Sequence, residues 1–145
     1  MTHVRQTIRH AAVKALCDAN TAAHRRVFAS RSRSLEPKDL PAICVYAWRE
    51  SSEFSSSDLA MSRSLFLMVD AYAEEKDGML DDALDSLSAQ IEAAMVASSI
   101  APARYVELQE TVIELSGDGE KKVGIVRHKY KIDYGTAPGT AETSN

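Results

Sequence analysis

The chain has 145 residues, 45% of them hydrophobic, and a net charge of −4. These values are typical of one soluble globular domain with a single core. No stretch reaches the roughly 18 uninterrupted apolar residues of a membrane span, and the N-terminus does not resemble a secretory signal, so we expect neither a membrane nor a secreted protein. Two cysteines, Cys17 and Cys44, do not form a disulfide framework, and we expect both to be reduced and buried.

The charge is unevenly distributed along the chain. Residues 1–34 carry a net charge of +6, and residues 77–103 carry −5. The overall negative charge does not suggest a nucleic-acid-binding protein. A basic and an acidic region on one small body favour head-to-tail contacts between identical subunits.

The first 60 residues predict a helix and then the first strand and loop of a hairpin. Apolar residues recur at helical spacing over residues 3–19, with Thr2 as the expected N-cap. After a short extended piece at residues 26–29, β-branched and aromatic residues predict a strand over residues 43–48. The serine-rich stretch 50–60 predicts a flexible loop of the kind that often carries function.

The stretch 61–95 organises the rest of the fold. Alternation predicts a long strand over residues 61–73, and a helical stripe predicts a helix over residues 79–97. One face of this strand carries Leu65, Leu67, Val69 and Ala71, and the other carries Phe66, Met68, Asp70 and Tyr72. The helical stripe consists of Leu80, Leu84, Leu87, Ile91 and Met95.

A second hairpin, with strands 105–115 and 123–134, follows around the turn residues Gly117-Asp118-Gly119. The last strand is expected to bury Val126, His128, Tyr130, Ile132 and Tyr134. Its other face carries Arg127, Lys129, Lys131 and Asp133, which we expect to be solvated and to discourage pairing at a sheet edge. Residues 135–145 lack an apolar anchor and predict a disordered tail.

The predicted fold class is therefore α+β. A single mixed, mostly antiparallel sheet of two hairpins has two main helices packed against it, in the order α-β-β-α-β-β. Residues 1–134 are expected to form one domain, followed by the disordered tail.

The residues suggest no catalytic constellation, so we expect neither an enzyme nor a cofactor or metal. The four histidines do not lie at metal-ligand spacing, and His128 is expected to be a hydrogen-bonded structural imidazole. Asp81, Asp82 and Asp85 could suggest a cation site, but their position on the first turns of a helix favours simple complementation of the helix dipole.

A basic cluster is the most distinctive feature of the surface. Arg25, Arg26, Arg31 and Arg33 fall within nine residues, around Val27-Phe28. They are either a solvated loop or a contact surface for an acidic neighbouring subunit or for passing DNA phosphate, without specific readout. Phe54, alone in its serine-rich loop, is the second candidate contact.

The order of elements and several strings resemble the tail terminator proteins of long-tailed phages, a family of minor tail proteins that includes tail protein U of phage lambda. The resemblance spans about residues 3–134. The strings that carry it are Val27-Phe28-Ala29-Ser30-Arg31, Leu40-Pro41-Ala42-Ile43-Cys44-Val45-Tyr46, Asp81-Asp82-Ala83-Leu84-Asp85 and the closing strand to Tyr134. The richness in arginine between residues 25 and 33 departs from the family's pattern.

The resemblance implies a structural virion protein that is assembled in the host cytoplasm and lies at the head-proximal end of the tail. Such proteins form a ring, commonly a hexamer, that caps the tail tube, stops its polymerisation and presents a surface for head–tail joining. The implied partners are further copies of the chain, the tail tube protein and the head–tail connector protein. The alternatives are a connector or neck protein of similar size and a small cytosolic ligand-binding αβ domain.

Overall fold

The computed structural model describes residues 2–30, 35–54, 59–117 and 122–144. Within them, the elements are α1 (Val4–Asp18), β1 (Val27–Phe28), β2 (Ala42–Phe54), β3 (Met61–Glu74), α2 (Leu80–Ala94), β4 (Tyr105–Ser116) and β5 (Val123–Thr136), with short 3-10 turns at Pro37–Asp39 and Ala97–Ser99. One mixed sheet with two helices confirms the predicted α+β class. The short strand β1 adds one element to the predicted order, which becomes α-β-β-β-α-β-β.

The five strands lie in the order β1-β2-β3-β5-β4. Strand β1 is parallel to β2, and every other pairing is antiparallel. The edges of the sheet are therefore β1 and β4. The prediction that the charged row of the last strand guards an edge is wrong, because β5 pairs on both sides. Its cations instead face glutamates of β4, with Lys129 Nζ 3.4 Å from Glu110 and Arg127 Nε 3.4 Å from Glu114.

Both helices pack on one face of the sheet and form a single core with it. Helix α1 packs against β1 and β2, and α2 packs against β3 and β5. The apolar rows predicted for β3, for α2 and for β5 are all buried, as expected. Helix α1 adds the buried residues Val4, Ile8, Ala12 and Leu16.

Two predicted element boundaries in the first half of the chain are wrong. The N-cap of α1 is His3 rather than Thr2, because the Arg5 backbone N–H donates to His3 Nδ1 at 2.9 Å. Strand β2 continues to Phe54, so the first part of the predicted loop at residues 50–60 is strand. The serines there have little intrinsic preference for a strand, but long-range pairing with β3 overrides this. Residues 55–58 lie outside the described residues.

His128 has the structural role that the sequence predicts. It is fully buried, its Nδ1 lies 3.0 Å from the Val69 carbonyl oxygen, and its Nε2 lies 2.7 Å from Ser88 Oγ. A neutral imidazole satisfies both contacts, donating from Nδ1 and accepting at Nε2. Burial lowers its pKa below the usual value, which also favours the neutral form. His128 therefore ties α2 to the middle of the sheet.

A buried charged cluster on the helix-covered face joins four elements. The Glu50 side chain, 9% exposed, lies 2.8 Å from Arg5 Nη1 and 3.1 Å from Arg63 Nη1. The Tyr134 hydroxyl also donates to this carboxylate, and burial raises the pKa of Tyr134. Two cations and one hydroxyl satisfy the buried anion. The cluster thus fixes the start of α1 against β2, β3 and β5.

The C-terminal segment is also held by hydrogen bonds. Strand β5 runs to Thr136, two residues beyond the predicted end of the domain. Beyond it, the Ala137 N–H donates to the Thr143 carbonyl, and the Val4 N–H donates to the Ala141 carbonyl, both at 2.9 Å. The prediction of disorder for residues 135–145 does not anticipate these contacts. Residue 145 lies outside the described residues.

Two leucines offer a matched test of this packing. Leu84 is fully buried between α2 and the sheet, whereas Leu115 on β4 is 60% exposed. Leu84→Ala should lower the free energy of unfolding by about 2–5 kcal/mol because it leaves a cavity. Leu115→Ala should change it by no more than about 0.5 kcal/mol. Urea unfolding of both variants checks this, and equal effects would contradict the described core.

Candidate assembly surfaces

The basic cluster begins in the turn between α1 and β1. Arg25 is exposed there, and the turn is tied to α2 by a 2.9 Å hydrogen bond from the Ala22 N–H to Gln90 Oε1. Arg26 has an internal role, since its Nε donates to the Pro41 carbonyl at 2.8 Å. Of the predicted contact arginines, Arg25 is thus the one described residue that presents its charge to solvent. Arg31 and Arg33 lie outside the described residues.

Asp81, Asp82 and Asp85 are all exposed on the first turns of α2. The helical period places Asp81, Asp85 and Glu92 on the same side of α2 as Ser88, which contacts His128 on β5. Asp82 points away from the sheet. Among the described residues, no group of three potential ligands could hold a metal ion.

The turn that carries Arg25 (the basic turn) and the side of α2 that carries Asp81, Asp85 and Glu92 (the acidic side) therefore face in opposite directions. Gln90, which holds the basic turn, is on the side of α2 that faces α1, and Ser88 is on the side that faces β5 and β4. The sequence shows both charges, but only the folded helix shows that they face in opposite directions.

Phe54 is 65% exposed at the end of β2, as expected of a contact residue. A shallow groove of about 250 Å³ separates it and Leu59 from residues 136–141 of the C-terminal segment. The end of β2 and the C-terminal segment are thus neighbours at one end of the strands.

The exposure of β4 is a feature that the sequence did not predict. All of residues 109–116 are exposed, including Ile113 (55%) and Leu115 (60%). The register pairs these two with the buried Val126 and with Gly124, so they lie on the helix-covered face of the sheet, beyond the edge of the helix layer. We call Thr111, Ile113 and Leu115 the β4 shelf. Its alternating sequence is that of a half-buried strand, and nothing local marks it as an uncovered edge.

The face of the sheet without helices carries a second unpredicted feature, an open groove of about 550 Å³. Its lining residues are Tyr46, Trp48, Met68, Asp70, Tyr72, Glu110, Arg127 and Lys129. The half-exposed Trp48 packs edge-to-face on Phe66 with ring centroids 6.2 Å apart. Lys129 Nζ lies 5.4 Å from the centroid of the same indole. Aromatic rings and paired charges therefore alternate across this face.

Asp70 lies in this groove and is only 1% exposed. Its Oδ2 accepts a hydrogen bond from the Tyr46 hydroxyl at 2.8 Å and lies 3.7 Å from Arg127 Nη1. Its Oδ1 is buried without a hydrogen-bond partner in the described structure. Burial raises the pKa of this carboxyl above its usual value, and burial together with Asp70 raises the pKa of Tyr46 to about 12.

Comparison with solved structures gives distant structural likenesses, one of which is to a chain of a virion particle. No protein-family model and no curated protein matches the chain. A chain from a solved structure described as the virion of the native gene transfer agent particle is 12% identical. The match covers 90% of this chain and 92% of that one, with a TM-score of 0.48. In the part of the chain that the structure describes, no helix is long and apolar enough to cross a membrane.

The buried Asp70 predicts a pH dependence. Because its pKa is raised in the folded state, its contribution to stability is fully present below the unfolded pKa and is lost as the pH rises through the folded pKa. Asp70→Asn cannot ionise and keeps an acceptor for Tyr46. Its free energy of unfolding, relative to that of the native chain, should therefore increase as the pH rises from the unfolded pKa of Asp70 to its folded pKa. Above the folded pKa the difference should level off. Paired urea unfolding between about pH 3 and about pH 7 measures this difference.

The exposed Asp85→Asn, measured in the same series, is the surface control. A difference for Asp70→Asn that stays constant or falls as the pH rises would contradict the described environment of Asp70.

Proposed function

We propose that this protein is a structural component of a phage-like virion that caps the tail tube as a ring, stops its polymerisation and provides a surface for head–tail joining. The observation that carries the proposal is the placement of opposite charges on opposite sides of α2. One copy can then present its basic side to the acidic side of the next. Contacts between two different surfaces build rings when the rotation closes.

The remaining surfaces suit the other partners of such a ring. If neighbouring copies meet at the two edges of the sheet, both ends of the strands stay free. One end carries exposed Phe54 and Leu59 beside the C-terminal segment, and the other lies where β4 ends and β5 begins. We assign these two ends to the tail tube protein and to the head–tail connector. The resemblance of the sequence to tail terminator proteins supports the same assignment.

Reversal of the basic charge should weaken the ring. Arg25→Glu, and more strongly the combination of Arg25→Glu with Arg31→Glu and Arg33→Glu, should reduce the yield of infectious particles when the variants complement a phage that lacks the gene. Each exposed pair contributes about 0.2–1 kcal/mol, so a single reversal should cost several-fold at most and the triple variant considerably more. Arg49→Glu, a reversal on the helix-free face of the sheet, to which no partner is assigned, is the control for general charge effects.

Compensation makes the charge test specific. Adding Asp81→Lys and Asp85→Lys to the triple variant should restore part of the yield, because the attraction is then rebuilt with its signs exchanged. A triple variant with native yield, or a yield that falls further in the combined variant, would contradict contact between the basic and acidic sides.

Deletion of the gene tests the function itself. Negative-stain microscopy of lysates should show overlong tail tubes without heads beside full, unjoined heads, because tube growth no longer stops. The complemented strain is the control. Tails of normal length that fail to attach would assign the protein to the connector instead, and intact infectious particles would exclude a role in the virion.

A further inference from the structure

We propose that β4 is the strand through which one copy joins the next, and that it receives the β1 edge of a second copy so that the sheet continues between subunits. The inference rests on the proposed ring and names its contact surface. Four observations carry it: the open edge of β4, the uncovered β4 shelf, the acidic side chains of β4 and the opposite direction of β1.

The open edge of β4 is long, and its regular stretch beyond Glu110 is not covered by another element among the described residues. The strand has 12 residues and pairs with β5 on one side only. Proteins usually blunt such an edge with lysine, proline or a covering element, because its unpaired N–H and C=O groups are a template for another strand. Tyr105–Ser116 contains no lysine, arginine or proline. A β-bulge lies between Leu108 and Glu110, and the strand continues regularly beyond it.

The β4 shelf adds an apolar surface to this edge. Ile113 and Leu115 are more than half exposed on the face of the sheet where the other strands bury their aliphatic side chains. On the acidic side of α2, Asp81 and Asp85 border the same region. A partner that fits here therefore has an apolar part for the shelf and basic residues around it.

Pairing of β4 with β4 of a second copy is disfavoured by charge. Glu107, Glu110 and Glu114 give the strand three negative charges of its own, and β5 compensates two of them, since Lys129 and Arg127 lie 3.4 Å from Glu110 and Glu114. Antiparallel self-pairing would bring these carboxylates close together, and like charges opposite each other destabilise a strand pair. A basic edge therefore fits β4 better than a second β4 does.

The opposite edge of the same sheet meets this requirement. Strand β1 starts two residues after the exposed Arg25, and among the described residues it lies at the edge of the sheet next to β2. The pairings make β1 run parallel to β2 and opposite to β4. Two copies placed side by side would therefore bring β1 and β4 together as an antiparallel pair. The second copy also brings its α1, which lies over β1 and β2, next to the uncovered shelf.

Paired cysteines test this contact. Thr111→Cys on β4 and Ala29→Cys directly after β1 replace exposed residues and leave Ile113, Leu115 and all charges unchanged. Each single variant and the double variant are treated with a short bis-maleimide, both as purified protein and in tails that contain the protein. The native chain, with its buried Cys44 and partly buried Cys17, sets the background. Leu59→Cys combined with Ala29→Cys is the matched control pair.

The double variant should give a ladder of covalent oligomers beyond the dimer, and neither single variant nor the control pair should do so. A dimer from Thr111→Cys alone would overturn the proposal, because β4 would then meet β4. No ladder from the double variant in either preparation would also overturn it. The addition of Ile113→Lys and Leu115→Lys to the double variant should abolish the ladder while urea unfolding stays near native, and a ladder that persists would overturn the role of the shelf.

The strand contact and the tail-capping role can fail independently of each other. A ladder in purified protein together with normal tails in the deletion strain would support the strand contact and exclude the tail-capping role. A deletion strain with overlong tails but no ladder in the complemented tails would support capping and exclude this contact.

Discussion

The widths of helices and strands set the main constraint on this molecule. A packed helix is about 10 Å across, whereas neighbouring strands are about 4.8 Å apart, so each helix covers roughly two strands. Helices α1 and α2 therefore cover β1, β2, β3 and β5. The fifth strand, β4, contributes the partly buried Val106 and Leu108 to the margin of the core, and its second half stays exposed. The surface that we propose for assembly follows directly from this mismatch.

The orientation of α2 decides where the charges point. Ser88 fixes one side of the helix on His128 of β5, and Gln90 fixes the other side on the turn that precedes β1. The leucine stripe could bury itself with some freedom of rotation, but these two hydrogen bonds on opposite sides limit it. Asp81 and Asp85 are thereby directed toward β4 rather than toward the basic turn. A single helix separates the two charged surfaces and prevents them from pairing within one subunit.

Each face of the sheet contains one buried carboxylate, in contrasting environments. Glu50 lies between Arg5 and Arg63 and also accepts from Tyr134, so its charge is well compensated. Asp70 has one hydroxyl donor and a more distant arginine, and one of its oxygens is left without a partner in the described structure. The first cluster joins α1 to the hairpin and to the last strand. The second leaves the helix-free face with a carboxyl whose ionisation is opposed by its surroundings.

The sequence determined the elements of this fold because periodicity is a local property of the chain. The alternation from Leu65 to Ala71 and the stripe from Leu80 to Met95 identified the strand and the helix, and the structure buries both rows. The same local pattern assigned His128 to the core. The resemblance to tail terminator proteins also came from the sequence, through strings such as Leu40-Pro41-Ala42-Ile43.

Only the tertiary structure decided which strand is an edge and which surfaces face each other. The sequence placed the protective charged row on the last strand, but β5 inserts between β3 and β4 and its lysines pair with glutamates instead. The extension of β2 into the serine-rich stretch and the hydrogen bonds of the C-terminal segment depend in the same way on partners far along the chain. Strand order and the exposure of Ile113 and Leu115 are set by long-range pairing and by the limited width of two helices, neither of which has a local signature.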